Sequence, residues 1–258
     1  MTSAFAVLDS KGYACLGWGS AIYAIVCVFA AAIVRGYSGF GFSLLAITSL
    51  SLALPPAEII PPVFMMEVAA SLSLLPGIWK DIHWRSLRLL GAGCLVGTPL
   101  GVWFLASVPP APIKIALACA VLVSVGFLWF GRARKNMPGA AETLATGGIS
   151  GLLNGALGIG GPPVVIFFFN SPAGIAIGRA SLIAFFIATD TIALGFLAAN
   201  GLVTSEGISR FLASVPALLA GQWIGAHSFR TANPADFRRW TLILLVALAV
   251  LTGLQAVT

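Results

Sequence analysis

Glu67 and Asp190 each stand inside an apolar run, VFMMEVAASLS and FFIATDTIALG. An ionisable group at the centre of a membrane span costs at least about 2.5–3.5 kcal/mol, so its presence there points to function by default. Burial and neighbouring charges decide when a carboxyl is charged. Either acid could therefore take up and release a proton, coupling it to the passage of a solute. Either could instead serve as counter-ion to Arg35 or Arg179 while a site is empty. The bland alternative is a protonated acid that only hydrogen-bonds a neighbouring helix. Coupling or gating is the reading taken forward, with Glu67, Asp190 and Arg179 as its residues.

Two glycine-rich stretches interrupt the apolar runs: Arg35-Gly-Tyr-Ser-Gly-Phe-Gly-Phe-Ser43 and Asn154-Gly-Ala-Leu-Gly-Ile-Gly-Gly-Pro-Pro163. Glycine accepts the backbone angles of a turn and lets backbone approach a ligand. Pro162 and Pro163 suit the first turn of a new helix and cannot continue an old one. A helix starting there turns unpaired N–H groups and its positive dipole end into the break. Arg35 and Asn154 precede the two breaks at matching places, and a guanidinium with an amide suits a small oxyanion. The candidate substrate site is Arg35, Gly36, Ser38, Gly39, Gly41, Ser43, Asn154, Gly158, Gly160 and Gly161. Arg35 has a competing reading, a residue at the headgroup level that ends the Leu16–Val34 run and snorkels. For Gly97/Gly101 and Gly221/Gly225, spaced by four, close helix packing is preferred.

The elements that must hold these residues are set by composition. Of 258 residues, 59% are hydrophobic and only 9% are charged, 14 Lys+Arg against 8 Asp+Glu. Soluble domains carry about 25% charged residues, and the mean hydropathy is +1.01. These values exclude a soluble enzyme, a nucleic-acid binder and a disordered scaffold. The expected class is an all-α polytopic membrane protein of roughly eight to ten segments of about 20 residues, with broken or re-entrant helices at the glycine-rich motifs. The four cysteines form no CxxC pair, which argues against a disulfide framework or zinc site. His83 and His227 lack ligand neighbours, and no HExxH, GxSxG or Walker motif occurs. No catalytic residue, metal or cofactor is expected. The N-terminus reads as a retained end because it lacks the basic–apolar–small order of a signal peptide.

The chain repeats itself. Gly36, Gly39 and Gly41 precede Gly155, Gly158 and Gly160 by 119 positions, and Gly97 and Gly101 precede Gly221 and Gly225 by 124. Pro110-Ala111 precedes Pro234-Ala235 by 124, and Glu67 precedes Asp190 by 123. The organisation expected is a first repeat over residues 1–131, a cytoplasmic linker over 132–142 and a second repeat over 143–258. Nine basic residues cluster in three loops: Lys80, Arg85 and Arg88; Arg132, Arg134 and Lys135; Arg230, Arg238 and Arg239. The positive-inside rule places all three loops in the cytoplasm. An even number of crossings must then separate the last two, so the segment from Thr143 to Asn170 is pictured as two half-length helices and the repeats as inverted in topology.

With these residues in view, the chain resembles the TauE/SafE sulfite-exporter-like family, also called the 4-toluene sulfonate uptake permease family. The resemblance rests on two related halves that each open with a glycine-rich stretch. It is close at Gly151-Leu-Leu-Asn-Gly-Ala-Leu-Gly-Ile-Gly-Gly161 and looser from Gly36 to Gly41, with His83-Trp84-Arg85 as the loop element. The first half departs from the pattern at Phe42 and Ser43, the second at Pro162-Pro163. The resemblance implies a secondary transporter of a sulfur oxyanion or organosulfonate, sometimes a carboxylate, in the bacterial inner membrane. The partners expected are a small anionic substrate, the lipid bilayer and protons as coupling ion, with a homodimer left open and no nucleic acid. The competing classes are a passive anion channel and a non-transporting membrane component that binds a partner.

Overall fold

The computed structural model describes residues 17–130, 137–169 and 171–228, together with Val246, Val250 and Leu254. The N-terminal end, the basic cluster Arg132–Lys135, the cluster Arg230–Arg239 and the rest of the last expected segment lie outside the described residues, as does Cys15. Among the described residues there are nine α-helices and no strand.

Each glycine-rich stretch separates a long helix from a short one. α1 (Gly17–Ser38) is followed by α2 (Phe42–Leu50). After α3 (Pro56–Ile78) comes a 3-10 turn (Trp79–Asp81), then α4 (Trp84–Ser107) and α5 (Pro110–Phe130). The second long–short pair is α6 (Ala140–Leu157) and α7 (Gly161–Phe169), followed by α8 (Ile175–Ala199) and α9 (Ser205–Ser228). Among the described residues, four helices are long and apolar enough to cross a membrane: Gly19–Tyr37, Pro56–Asp81, Trp84–Ser107 and Ala176–Ala199.

The sequence chemistry accounts for the boundaries. Pro56 opens α3 where a missing N–H costs nothing. His83 caps α4 by accepting from the Ser86 N–H. α6 ends on Gly158 in the left-handed region, φ 71°, where its N–H reaches the Asn154 carbonyl at 2.9 Å and the Ile159 N–H reaches Leu153 at 3.4 Å. That double closure ends helices, and a Cβ would strain it. Gly39, at φ 80°, does the corresponding work at the end of α1, its N–H reaching the Arg35 carbonyl at 2.7 Å.

The picture of two half-length arms is corrected. At 1.5 Å per residue, the 18 residues of α6 reach about 27 Å and the nine of α7 about 13 Å. Only the second arm is short. The reason lies in Gly147, Gly148 and Gly151, which do not interrupt α6. A Cβ at Gly147 would strike the Leu90 carbonyl, and one at Gly151 would lie 2.8 Å from the Cys94 Cα. Gly147 and Gly151 seat α6 against α4, and the helix runs through all three.

The same long-helix contact occurs twice. α6 packs along α4, and α1 packs along α9. A Cβ on Gly155 would meet the Thr98 carbonyl and the Val102 amide; one on Gly36 would meet the Gln222 carbonyl and the Ala226 amide. Thr98 and Val102 lie 124 positions before Gln222 and Ala226. In return, Gly101 faces the Leu152 carbonyl and Ala156 amide, and Gly225 faces the Ile33 carbonyl and Tyr37 amide. Here the offset is 119. Gly97 and Gly221 also face the backbone of their partner helices, so the glycines spaced by four serve close packing.

The short arms are the most enclosed parts of the molecule. α2 is buried from Phe42 and Leu44 through Leu50, packed with Ile59, Ile60, Val63 and Phe64 of α3. Its hydroxyls turn inward: Thr48 Oγ1 donates to the Leu44 carbonyl at 2.6 Å, and Ser49 Oγ to Leu45 at 2.7 Å. α7 packs Val164, Val165 and Phe168 with Phe185 and Phe186 of α8. Irregular backbone at membrane depth needs such protein cover, because lipid offers no hydrogen-bond partner.

Candidate substrate site

The first break gathers a charged cluster. Arg35 ends α1 fully enclosed, at 0% exposure, and Glu67 from the middle of α3 is equally enclosed. The Arg35 Nη1 donates to Glu67 Oε1, and the Nη2 to the hydroxyl of Ser71. Glu67 Oε2 accepts from the Ser43 hydroxyl and, at 3.2 Å, from the Ser43 backbone N–H. Both carboxylate oxygens are thus engaged, one by a guanidinium and one at the opening turn of α2. The snorkelling alternative for Arg35 does not hold, since the side chain turns into the protein. The Nε of Arg35 is buried without a hydrogen-bond partner.

At the second break an amide replaces the guanidinium. Asn154, 2% exposed, donates through Nδ2 to Asp190 Oδ1 at 2.9 Å and lies 3.4 Å from Thr189 Oγ1. Its Oδ1 accepts the Gly160 N–H at 3.1 Å, and the Ser150 hydroxyl donates to the Gly160 carbonyl. Asn154 therefore ties the turn to α8. Arg35 with Glu67 and Asn154 with Asp190 are the pairs the offsets relate, and both pairs meet in space.

One small cavity joins the two breaks. It is lined by Phe40, Gly41, Ser43 and Leu44 from the first, by Ile159, Gly161, Pro162 and Val165 from the second, and by Phe186 of α8. Of the expected site residues, Gly41, Ser43 and Gly161 line it. Arg35 stands directly behind the wall, its guanidinium carbon 5.9 Å from the Phe186 ring centre, within the range of a cation–π contact. Asn154, Gly158 and Gly160 lie in the supporting turn. Gly39 packs on the Arg179 side chain, where an added Cβ would sit 2.8 Å from Arg179 Cγ, and Arg179 Nη2 lies 3.5 Å from the Gly36 carbonyl. Gly36 faces α9 and not the cavity. The Ser38 side chain lies outside the described residues.

Three participants escaped the reading of the sequence. Ser71 follows Glu67 by one helical turn, the spacing that places two side chains on one face, and Phe186 precedes Asp190 by the same interval. Both were within reach of a spacing argument. So was Ser150, which precedes Asn154 by the same interval and whose partner is the Gly160 carbonyl across the turn.

Residues 24–252 match the family model described as Sulfite exporter TauE/SafE. The chain belongs to this family. It is a family of membrane transporters and not of enzymes, and the long apolar helices agree with it. The protein is accordingly a multi-pass protein of the bacterial inner membrane. Among its relatives is the "Probable sulfite/organosulfonate exporter TauE" of Cupriavidus necator, 28% identical over 232 residues that cover 86% of each chain. Another is the "Probable inner membrane transporter protein TsaS" of Comamonas testosteroni, 24% identical over 189 residues, covering 72% of this chain and 78% of that one. No solved structure matches.

Proposed function

We propose that this TauE/SafE member is a secondary transporter that carries an organosulfonate through the cavity between the two breaks. The observation that carries this reading is the joint lining of one cavity by the openings of α2 and α7, with Arg35 immediately behind it. Half-helix N-termini and a buried cation favour an anion. Phe40, Leu44, Ile159, Val165 and Phe186 supply apolar wall, which the carbon skeleton of a sulfonate contacts when the closed cavity opens around it. The name of the Cupriavidus necator relative, with both sulfite and organosulfonate in it, agrees with that class.

The carrier alternates access between two repeats of inverted topology. The reciprocal glycine contacts of α1 with α9 and of α6 with α4 support two related halves, and the basic loops support their opposite orientation. Flux is coupled to protons. Glu67, Asp190 and Arg179 form the coupling and gating set, in which one carboxyl takes up a proton and the other groups change partners. In the empty site Glu67 stands in for the anion on Arg35 and Ser43, and the substrate sulfonate displaces it.

Proteoliposomes containing the purified protein and a labelled alkyl or aryl sulfonate test this reading. Saturable flux that responds to a pH gradient and is inhibited by other sulfonates supports the carrier. Non-saturating flux indifferent to the gradient indicates an anion channel, and flux of carboxylates alone indicates a different substrate class.

A further inference from the structure

The two offset-related acids differ in one respect that the coupling reading leaves open. Glu67 has a cationic partner and uses both oxygens. Asp190, 1% exposed, has only neutral partners: Asn154 donates to Oδ1, and Oδ2 is buried with no hydrogen-bond partner. The difference comes from a single position in the repeat, Arg35 in the first half and Asn154 in the second.

The groups facing Asp190 leave no counter-charge of its own. α6 contributes the Asn154 amide. α4 contributes the Cys94 thiol, which donates to the Gly147 carbonyl at 3.1 Å and lies 3.7 Å from Thr189 Oγ1. From α3 and α1, Glu67 and Arg35 act on it electrostatically with opposite signs, and these two are already paired with each other. α7 carries no titratable side chain, and Lys80 and Asp81 of the 3-10 turn are exposed. On α8 itself Arg179 turns toward Gly36 and Gly39. Among the described residues no cluster of three or more His, Cys, Asp or Glu could hold a metal ion. A lone buried carboxylate is far more costly than a buried neutral acid.

We propose that Asp190 is the proton-carrying group of this transporter, and that Glu67 is the fixed counter-ion of Arg35 except when substrate displaces it. The step is a simple protonation: a proton adds to a lone pair of the carboxylate and forms the acid, and leaves again as hydronium in the other access state. Asn154 reports the change to the cavity. Its amide joins Asp190 Oδ1 to the Gly160 N–H, so gain or loss of charge on Asp190 pulls on the turn that opens α7. This assignment rests on the proton-coupled reading above, but its test does not require transport.

Infrared spectroscopy of the purified full-length protein at neutral pH reads the carbonyl stretch of a protonated carboxyl. The expected result is such a band in the wild type, lost in Asp190→Asn and kept in Glu67→Gln. Asp190→Glu, which keeps the carboxyl and moves it by one methylene, shifts the band, so the assignment is readable even if Asp190→Asn fails to fold. No band in the wild type, a band that survives Asp190→Asn, or one unmoved by Asp190→Glu overturns the proposal. A band on Asp190 in a protein that carries no sulfonate would overturn the transport reading instead and leave the protonation standing.

Discussion

The two breaks share a backbone plan and differ in charge. At the first, Arg35, Glu67, Ser43 and Ser71 form a neutralised cluster of one cation and one anion. At the second, Asn154, Thr189 and Asp190 form an amide–hydroxyl–acid cluster without a cation. In the function proposed above, two related frames differ at one position, Arg35 against Asn154, and that difference divides labour between them. A cation beside the cavity favours an anionic solute; an acid without a cation can exchange a proton. The asymmetry also separates the energetics, because breaking a buried ion pair costs more than removing a neutral hydrogen bond.

The largest effect expected is that of Arg35→Ala, which leaves Glu67 buried with no cation. It should destabilise the protein by about 3–5 kcal/mol and abolish sulfonate flux. Thermal unfolding in detergent reads the first effect and the proteoliposome assay the second. Asn154→Ala, at the equivalent place, removes neutral hydrogen bonds and should cost about 1–3 kcal/mol. Equal losses at the two positions would break the comparison.

Ser71→Ala removes the second partner of the guanidinium and should cost about 1.5–3 kcal/mol, the range for a hydrogen bond to a charged group. A loss below that range would show that Arg35 relies on Glu67 alone. The packing offers a test in which the two halves should agree. Gly36→Ala and Gly155→Ala both drive a methyl into facing backbone and should each cost about 1–3 kcal/mol. Gly91→Ala, where nothing lies within 4 Å, should be neutral or slightly stabilising. Unequal costs for Gly36 and Gly155 in the same unfolding assay would argue against two equivalent frames.

The smallest effect belongs to Glu58 and Arg210. Their contacts at 3.2 Å join α3 to α9, with side chains 42% and 23% exposed. Glu58→Gln should change stability by under about 1 kcal/mol and still less at high salt. A larger loss would make this outer pair a structural latch, and the buried pair would no longer be distinctive.

Much of the site was legible because it breaks rules of composition. A charge in an apolar run stands out, as Glu67 and Asp190 do, and glycines in register at one offset mark the turns. What the sequence left hidden required knowing which helix faces which. Arg35 follows a nearly complete span, so chain length alone allows it to end at the membrane surface. Its burial becomes evident only when α3 brings Glu67 and Ser71 against it. The arms of the second break misled for a related reason. A glycine can end a helix or seat it on another, and Gly147 and Gly151 do the second because α4 lies close enough to need it. Gly36 belongs to the same class: it sits in the first break by sequence, yet serves the contact with α9.

The division of labour between the breaks is tested most directly by proton movement during substrate flux. Proteoliposomes loaded with a pH-sensitive dye and given an external organosulfonate should change internal pH as the anion moves, and Asp190→Asn should abolish that change. Sulfonate flux through the wild-type protein with no accompanying proton movement would contradict the account.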